Sequence, residues 1–177
     1  MDRLARHFQS MARNNHWAND RLLGACAQLG PDGFAAPRTG FFPSLRATLN
    51  HVHAVDLYYI DALEEGGRGP AAFFDAPDFG DPRALRDAQA SADRRLTAFC
   101  DALDGGKLDG TVVTDRGGKG RFPERVDALL AHLFQHQIHH RGQAHAMLSG
   151  AGVAPPQLDE FFLDFDRDPA IAAMAFR

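Results

Sequence analysis

Between residues 126 and 147 the chain carries Val126, Leu129, Leu133, His136, His140, Gln143 and Met147, at intervals of 3, 4, 3, 4, 3 and 4. That alternation is the period of a helical stripe buried against neighbouring helices. A helix of this kind is stable only when other helices cover it, so the rest of the chain must supply them. The stripe is also interrupted at its middle by two histidines and a glutamine. Burying such groups without partners costs several kcal/mol, so the covering helices must also satisfy imidazole and amide.

The remaining sequence supplies three more helical stretches. One runs from Asp2 to Leu29, with Leu4, Phe8, Met11, Trp17, Leu22, Cys26 and Leu29 near helical spacing, and stops at Gly30-Pro31-Asp32-Gly33. A second is capped by Ser44, carries Leu45, Leu49, Val52, Val55, Tyr59 and Leu63, and ends at Gly66-Gly67. Arg68 to Gly80, rich in Gly, Pro and Phe, reads as a surface loop. A third helix begins near Asp81 with Pro82 in its first position and continues to about Leu103. Lys107 to Phe122 does not read as helix. The β-branched run Thr111-Val112-Val113-Thr114 followed by Asp115-Arg116-Gly117-Gly118 predicts a short hairpin. The fourth helix is expected from Pro123 to about Ser149, with Gly150, Gly152 and Pro155-Pro156 beyond it. The tail contains Phe161, Phe162, Phe165 and Phe176, expected to pack across the bundle. The expectation is an all-α fold: one four-helix-bundle domain over residues 1–177, with a hairpin or loop between helices three and four.

Composition excludes several functions. At 177 residues with a net charge of −4, the chain has no basic block with which to neutralise phosphates, so no nucleic-acid partner is expected. No apolar run approaches the ~20 residues that span a bilayer, so no membrane partner is expected. The first residues lack the apolar segment of a signal peptide. Cys26 and Cys100 are far apart and in no metal-binding spacing. They read as reduced thiols of a cytoplasmic protein.

Histidine is abundant, with nine residues, five of them (His132, His136, His139, His140 and His145) close together. His136 and His140 lie four apart in the stripe, on one helical face, a geometry suited to two imidazole ligands on one divalent ion. His132 and His136 share the same spacing, although His132 and His139 fall one step off the stripe. A third ligand has to come from another helix, where His7, His16, His51 and His53 are available. His51 shares a face with Val55, Tyr58 and Ala62. His53 lies about 200° around the helix from it, so one of the two is expected to face the core, with a slight preference for His51. Glutamate is scarce, and no Glu-x-x-His occurs, which argues against a di-iron bundle. Gln137 stands where a zincin helix needs its glutamate base. Asp164, Asp166 and Asp168 alternate like calcium-loop ligands but lack the central Gly and distal Glu. They are expected to be solvated.

Three segments resemble a known family. His136-Gln-Ile-His-His140-Arg141-Gly142-Gln143 is similar to the His-x-x-x-His-Arg-Gly-Gln end of the DinB-like (YfiT-type) metal-binding four-helix bundles. Leu49-Asn50-His51-Val52-His53-Ala54-Val55-Asp56 resembles that family's second-helix motif, and Asn15-His16-Trp17-Ala18-Asn19-Asp20-Arg21-Leu22 its first-helix segment. The resemblance implies a triad of His51, His136 and His140 on a divalent metal, zinc or nickel, with water completing the sphere. It also implies a small-molecule substrate, chemistry of the thiol S-transferase or hydrolase type, a low-molecular-weight thiol as cosubstrate, and a homodimer. A non-enzymatic metal-binding or sensing module with a structural ion is the competing expectation. Gln143 is expected to orient a ligand or bind substrate, with Tyr58 as a further helper. Asp56 reads as a structural carboxylate and Arg141 as an anchor for a carboxylate of the bundle or dimer. Trp17, Tyr58 and Tyr59 are candidates for a pocket wall.

Overall fold

The computed structural model describes residues 2–159. The helices are α1 (Arg3–Cys26), α2 (Gly30–Ala35), α3 (Leu45–Leu63), α4 (Pro70–Phe74), α5 (Pro82–Asp101), α6 (Gly105–Asp109) and α7 (Val126–Gly150); strands β1 (Thr111–Asp115) and β2 (Arg121–Arg125) lie between α6 and α7. The four long helices α1, α3, α5 and α7 form the bundle expected from the hydrophobic periodicity, and the two strands form one antiparallel hairpin. The aromatic tail residues Phe161, Phe162, Phe165 and Phe176 and the alternating aspartates Asp164, Asp166 and Asp168 lie outside the described residues.

The helix starts follow from local chemistry. Asp2 accepts the N–H groups of Leu4 and Ala5, and Ser44 accepts that of Ala47 at 3.1 Å. Asp81 accepts the Arg83 N–H at 2.9 Å, with Pro82 in the first turn, where its missing N–H costs nothing. Elsewhere the boundaries differ from expectation. Gly30-Pro31-Asp32-Gly33 does not simply end the first helix. A short 3-10 turn (Ala27–Leu29) and Gly30, at φ +63°, redirect the chain, and Pro31 then opens α2. The same proline device opens α4 inside the segment expected to be loop. Asp104 caps α6, within a stretch that reads as non-helical. Pro123, expected to begin the last long helix, instead sits in β2 opposite Val113. A two-stranded ribbon has only edges, and there proline's missing donor is tolerated.

The core is split in two. One cluster, including Phe8, Ile60, Leu96, Cys100, Leu130 and Leu133, fills the end of the bundle near the hairpin. The other, including Leu22, Cys26, Phe34, Leu45, Leu85 and Leu148, fills the opposite end. Polar side chains lie between them.

The face that α7 buries is rotated by one residue from the stripe read in the sequence. Its centre runs through Leu130, Leu133, Gln137, Arg141, Ala144 and Leu148, and Gln137 is fully buried. His136 lies on the shoulder of this face, half-buried, and His140 is buried at its edge. The polar residues at the centre of the bundle are therefore Gln137 and Arg141. The sequence stripe puts the histidines there because apolar spacing alone cannot distinguish a buried arginine from a solvated one.

Candidate metal centre

The central layer explains why Gln137 and Arg141 are tolerated. Arg141 Nη1 donates to Asn15 Oδ1, to Asn19 Oδ1 at 3.1 Å and to Gln137 Oε1 at 3.3 Å. The amides of Asn15 and Asn19 donate in turn to Asp93 at 3.1 Å. Gln89 donates to Asp56 Oδ2 at 2.7 Å and to Asp93 Oδ1 at 3.1 Å, and accepts from His53 Nδ1 at 3.0 Å. All four long helices contribute. Burial raises the Asp56 carboxyl to about 7 and raises that of Asp93, while Arg141 is lowered to about 10 by desolvation. With both carboxyls raised, a proton on one of them leaves a single negative charge for Arg141 to balance, which keeps the layer close to neutral as the low dielectric of an interior requires.

Two readings of the sequence are settled here. Arg141 does anchor the bundle, but through amide oxygens rather than directly to a carboxylate. His53 is not excluded from the core by His51: it is 3% exposed. Helix α3 is flanked by both α5 and α7, so its two sides are both covered; His53 meets α5 and His51 meets α7.

On the α7 side the geometry is different. His51 Nε2 and His136 Nε2 lie 3.1 Å apart. The rings of His136 and His140 are 4.4 Å apart, centre to centre, and those of His51 and His140 4.9 Å. One ligand nitrogen from each of the three falls within 4.8 Å of the others. His140 Nδ1 donates to Gln143 Oε1 at 2.8 Å. That bond fixes the ring's tautomer and leaves Nε2 with a free lone pair, the arrangement by which an outer hydrogen bond orients a metal ligand. Gln143 Nε2 lies 3.1 Å from His139 Nε2, which completes its own hydrogen bonding. His136 Nδ1 is buried without a partner.

Desolvation, reinforced by the neighbouring imidazoles, lowers the pKa of His136 to about 3. Desolvation also lowers His51 and His140. All three rings are therefore neutral near pH 7, the form that offers a lone pair. Zn–N bonds of about 2.0–2.1 Å at a tetrahedral angle place two nitrogens roughly 3.3 Å apart, close to the spacing of His51 and His136. Three neutral imidazoles with no carboxylate among them suit a borderline divalent ion such as zinc or nickel. The donor set fits the ion that the motifs imply.

Around the cluster stand aromatic rings that sequence reasoning overlooked. Phe42 packs 4.6 Å from the His51 ring and 5.5 Å from that of His140. Phe73 stands 6.1 Å from His51. Their neighbours Phe41 and Phe74 are each 78% exposed. The signal was available in two Phe-Phe pairs placed in segments that otherwise read as connections. Tyr58 Oη donates to the Asp115 carbonyl at 2.7 Å and lines a cavity beside the hairpin. Tyr59 is buried against His132. Trp17 instead faces the α1–α5 side, with Arg21 4.9 Å from its ring centre. His132 and His139 are exposed, as their off-stripe positions imply.

The chain matches the DinB family over residues 2–168. It belongs to the DinB family. Among characterised relatives it is similar to Protein DinB of Bacillus subtilis (strain 168), with 23% identity over 150 residues, covering 82% of this chain and 86% of the relative. The three converging histidines lie within the residues matched to the DinB family. Among the described residues no helix is long and apolar enough to cross a membrane.

Proposed function

We propose that this DinB-family protein is a metal-dependent enzyme acting on a small molecule, by thiol transfer or hydrolysis, with His51, His136 and His140 holding one zinc or nickel ion. The observation that carries the reading is the pair of Nε2 atoms 3.1 Å apart, with the third ring beside them and its lone pair freed by Gln143. A divalent ion bound there supplies positive charge that acidifies water and stabilises a thiolate. The chain's own contribution is to present three uncharged rings, to hold His140 through Gln143, and to shield the cluster with Phe42 and Phe73. A carboxylate base is not part of this group: Asp56 and Asp93 are committed to the buried layer.

Elemental analysis of untagged protein tests the reading. About one zinc or nickel per chain is expected, and close to none in His136→Ala. Metal-free wild-type protein that also fails to take up zinc would refute it. A metal-replete protein whose cobalt form shows no spectral response to added thiol or to small anions would favour the structural-ion alternative.

A further inference from the structure

Beside the histidine cluster lies a cavity of about 860 Å³ between α4, the hairpin turn and α3, lined by Tyr58, Pro70, Phe73, Phe74, Arg116 and Lys119, among others. Its volume lies within the ~300–1,000 Å³ typical of small-molecule sites. Three features connect it to the cluster. Phe73 is shared, forming a wall of the cavity while standing 6.1 Å from the His51 ring. Tyr58 and His51 lie on the same face of α3, seven residues and hence about 10 Å apart along the axis. Finally, Tyr58 Oη ties the hairpin to α3 at the Asp115 carbonyl, so the cavity has a fixed far wall.

The lining is chemically divided. On the α4 side Pro70, Phe73 and Phe74 present hydrocarbon, and Phe74 is 78% exposed. An aromatic ring left in water at a cavity rim gains when a ligand covers it. On the turn side stand two cations. Arg116 is shared with Glu124 at 3.0 Å, whereas Lys119 makes no ion pair among the described residues. The acidic member of the lining, Asp115, is engaged through Oδ1 by the Gly117 N–H at 2.8 Å. The glycine-rich turn, with Gly117 and Gly120 at positive φ, presents Lys119 at the tip.

We infer that this cavity binds the apolar, anion-terminated part of the molecule on which the histidine cluster acts: an elongated aryl or alkyl carboxylate whose hydrocarbon lies on Phe73 and Phe74 and whose charge meets Lys119 and Arg116. This rests on the metal-site reading above and adds to it a substrate class and a direction of approach. Its selectivity resides in the hairpin and α4, outside the motifs that carry the histidines.

The test uses the full chain with 4-phenylbutyrate and its uncharged analogue 4-phenylbutan-1-ol as probes, with binding followed by protein NMR or calorimetry, with and without zinc. The acid is expected to bind at least tenfold more tightly than the alcohol. Phe73→Ala and Lys119→Glu are each expected to weaken the acid by fivefold or more, while Lys119→Glu leaves zinc stoichiometry and thermal midpoint unchanged. On the cobalt-loaded protein the probe's phenyl protons should show pseudocontact shifts, as a ligand near the ion must. Equal binding of acid and alcohol, indifference to Lys119→Glu, or absence of pseudocontact shifts on cobalt-replete protein would each overturn the inference. Zinc bound normally with no binding of the acid refutes the cavity's role and leaves the metal reading intact. Binding of the acid through Phe73 and Lys119 in a chain that takes up no metal supports the cavity and refutes the metal reading.

Discussion

Helix α7 carries two polar groups side by side, at nearly the same level and about 100° apart around its axis, and they differ in what is left over. Around Gln137 and Arg141 the neighbouring helices supply Asn15, Asn19, Gln89, Asp93, Asp56 and His53, a connected network of donors and acceptors in which Asp56 Oδ1 and Gln137 Nε2 are left without a partner. Around His136 and His140 the neighbours supply one more histidine and aromatic rings, and one ring nitrogen from each of the three histidines converges within 4.8 Å of the others. A buried polar group with partners is architecture. Several with the same unmet need, aimed at one point, are a site. The difference separates the residues that hold the bundle together from those of the candidate metal centre.

The largest expected effect lies in the first group. Arg141→Met leaves the oxygens of Asn15, Asn19 and Gln137 without their donor and two carboxyls without their cation. Removing one partner of a buried charged network costs about 3–5 kcal/mol, so urea unfolding should show a correspondingly lower midpoint. His136→Ala should do the reverse, abolishing stoichiometric metal while lowering the stability of the metal-free protein far less. If the two variants had equal effects on stability, the distinction between the groups would be lost. Next in size is Gln143→Leu. It frees the His140 ring without removing a ligand, and outer hydrogen bonds of this type are worth about 10–100-fold in metal affinity. A competition titration against a chelator measures it.

The smallest effect is a pH slope, opposite in sign for the two groups. A histidine titrates near 6.5 in the unfolded chain, and His136 is held down at about 3 in the fold. The unfolded chain therefore binds the extra proton in between. The stability His136 contributes is complete above ~6.5 and is lost as pH falls towards 3. Asp56 is raised to about 7, so its contribution is complete below the ordinary carboxylate range and is lost as pH rises towards 7. In metal-free protein, the stability difference between wild type and His136→Ala should therefore move against His136 as pH falls from 7 to 5. The corresponding difference with Asp56→Asn should move against Asp56 as pH rises over the same interval. Parallel curves for all three proteins would refute the assignment.

Much of this was legible in the sequence. Ser44, Asp81 and Pro82 marked helix starts because capping is a local contact between neighbours, and the β-branched run at Thr111 marked the hairpin for the same reason. The three histidines were legible as a group through the resemblance of three motifs; periodicity alone left His51 and His53, and 132/136 and 136/140, in competition. What escaped was non-local. The one-residue rotation of α7 depends on Asn15, Asn19 and Asp93 being present to receive Arg141, and no window along α7 contains them. Phe42 and Phe73 arrive at the histidines from connecting segments, and nothing in a loop's own composition says which helix it will lie against. Pro123 read as a helix start because its strand partner, Val113, is ten residues away.

The two cysteines complete the contrast. Cys26 and Cys100 lie in separate apolar clusters, both unexposed and both pushed up to about 12 by burial. At neutral pH neither is a nucleophile, and neither is near enough to the other's cluster to be oxidised in concert. A thiolate taking part in the proposed reaction would therefore have to come from a separate molecule. An alkylating reagent at neutral pH should leave both thiols of the folded protein unmodified and react with them only on unfolding, which mass spectrometry checks.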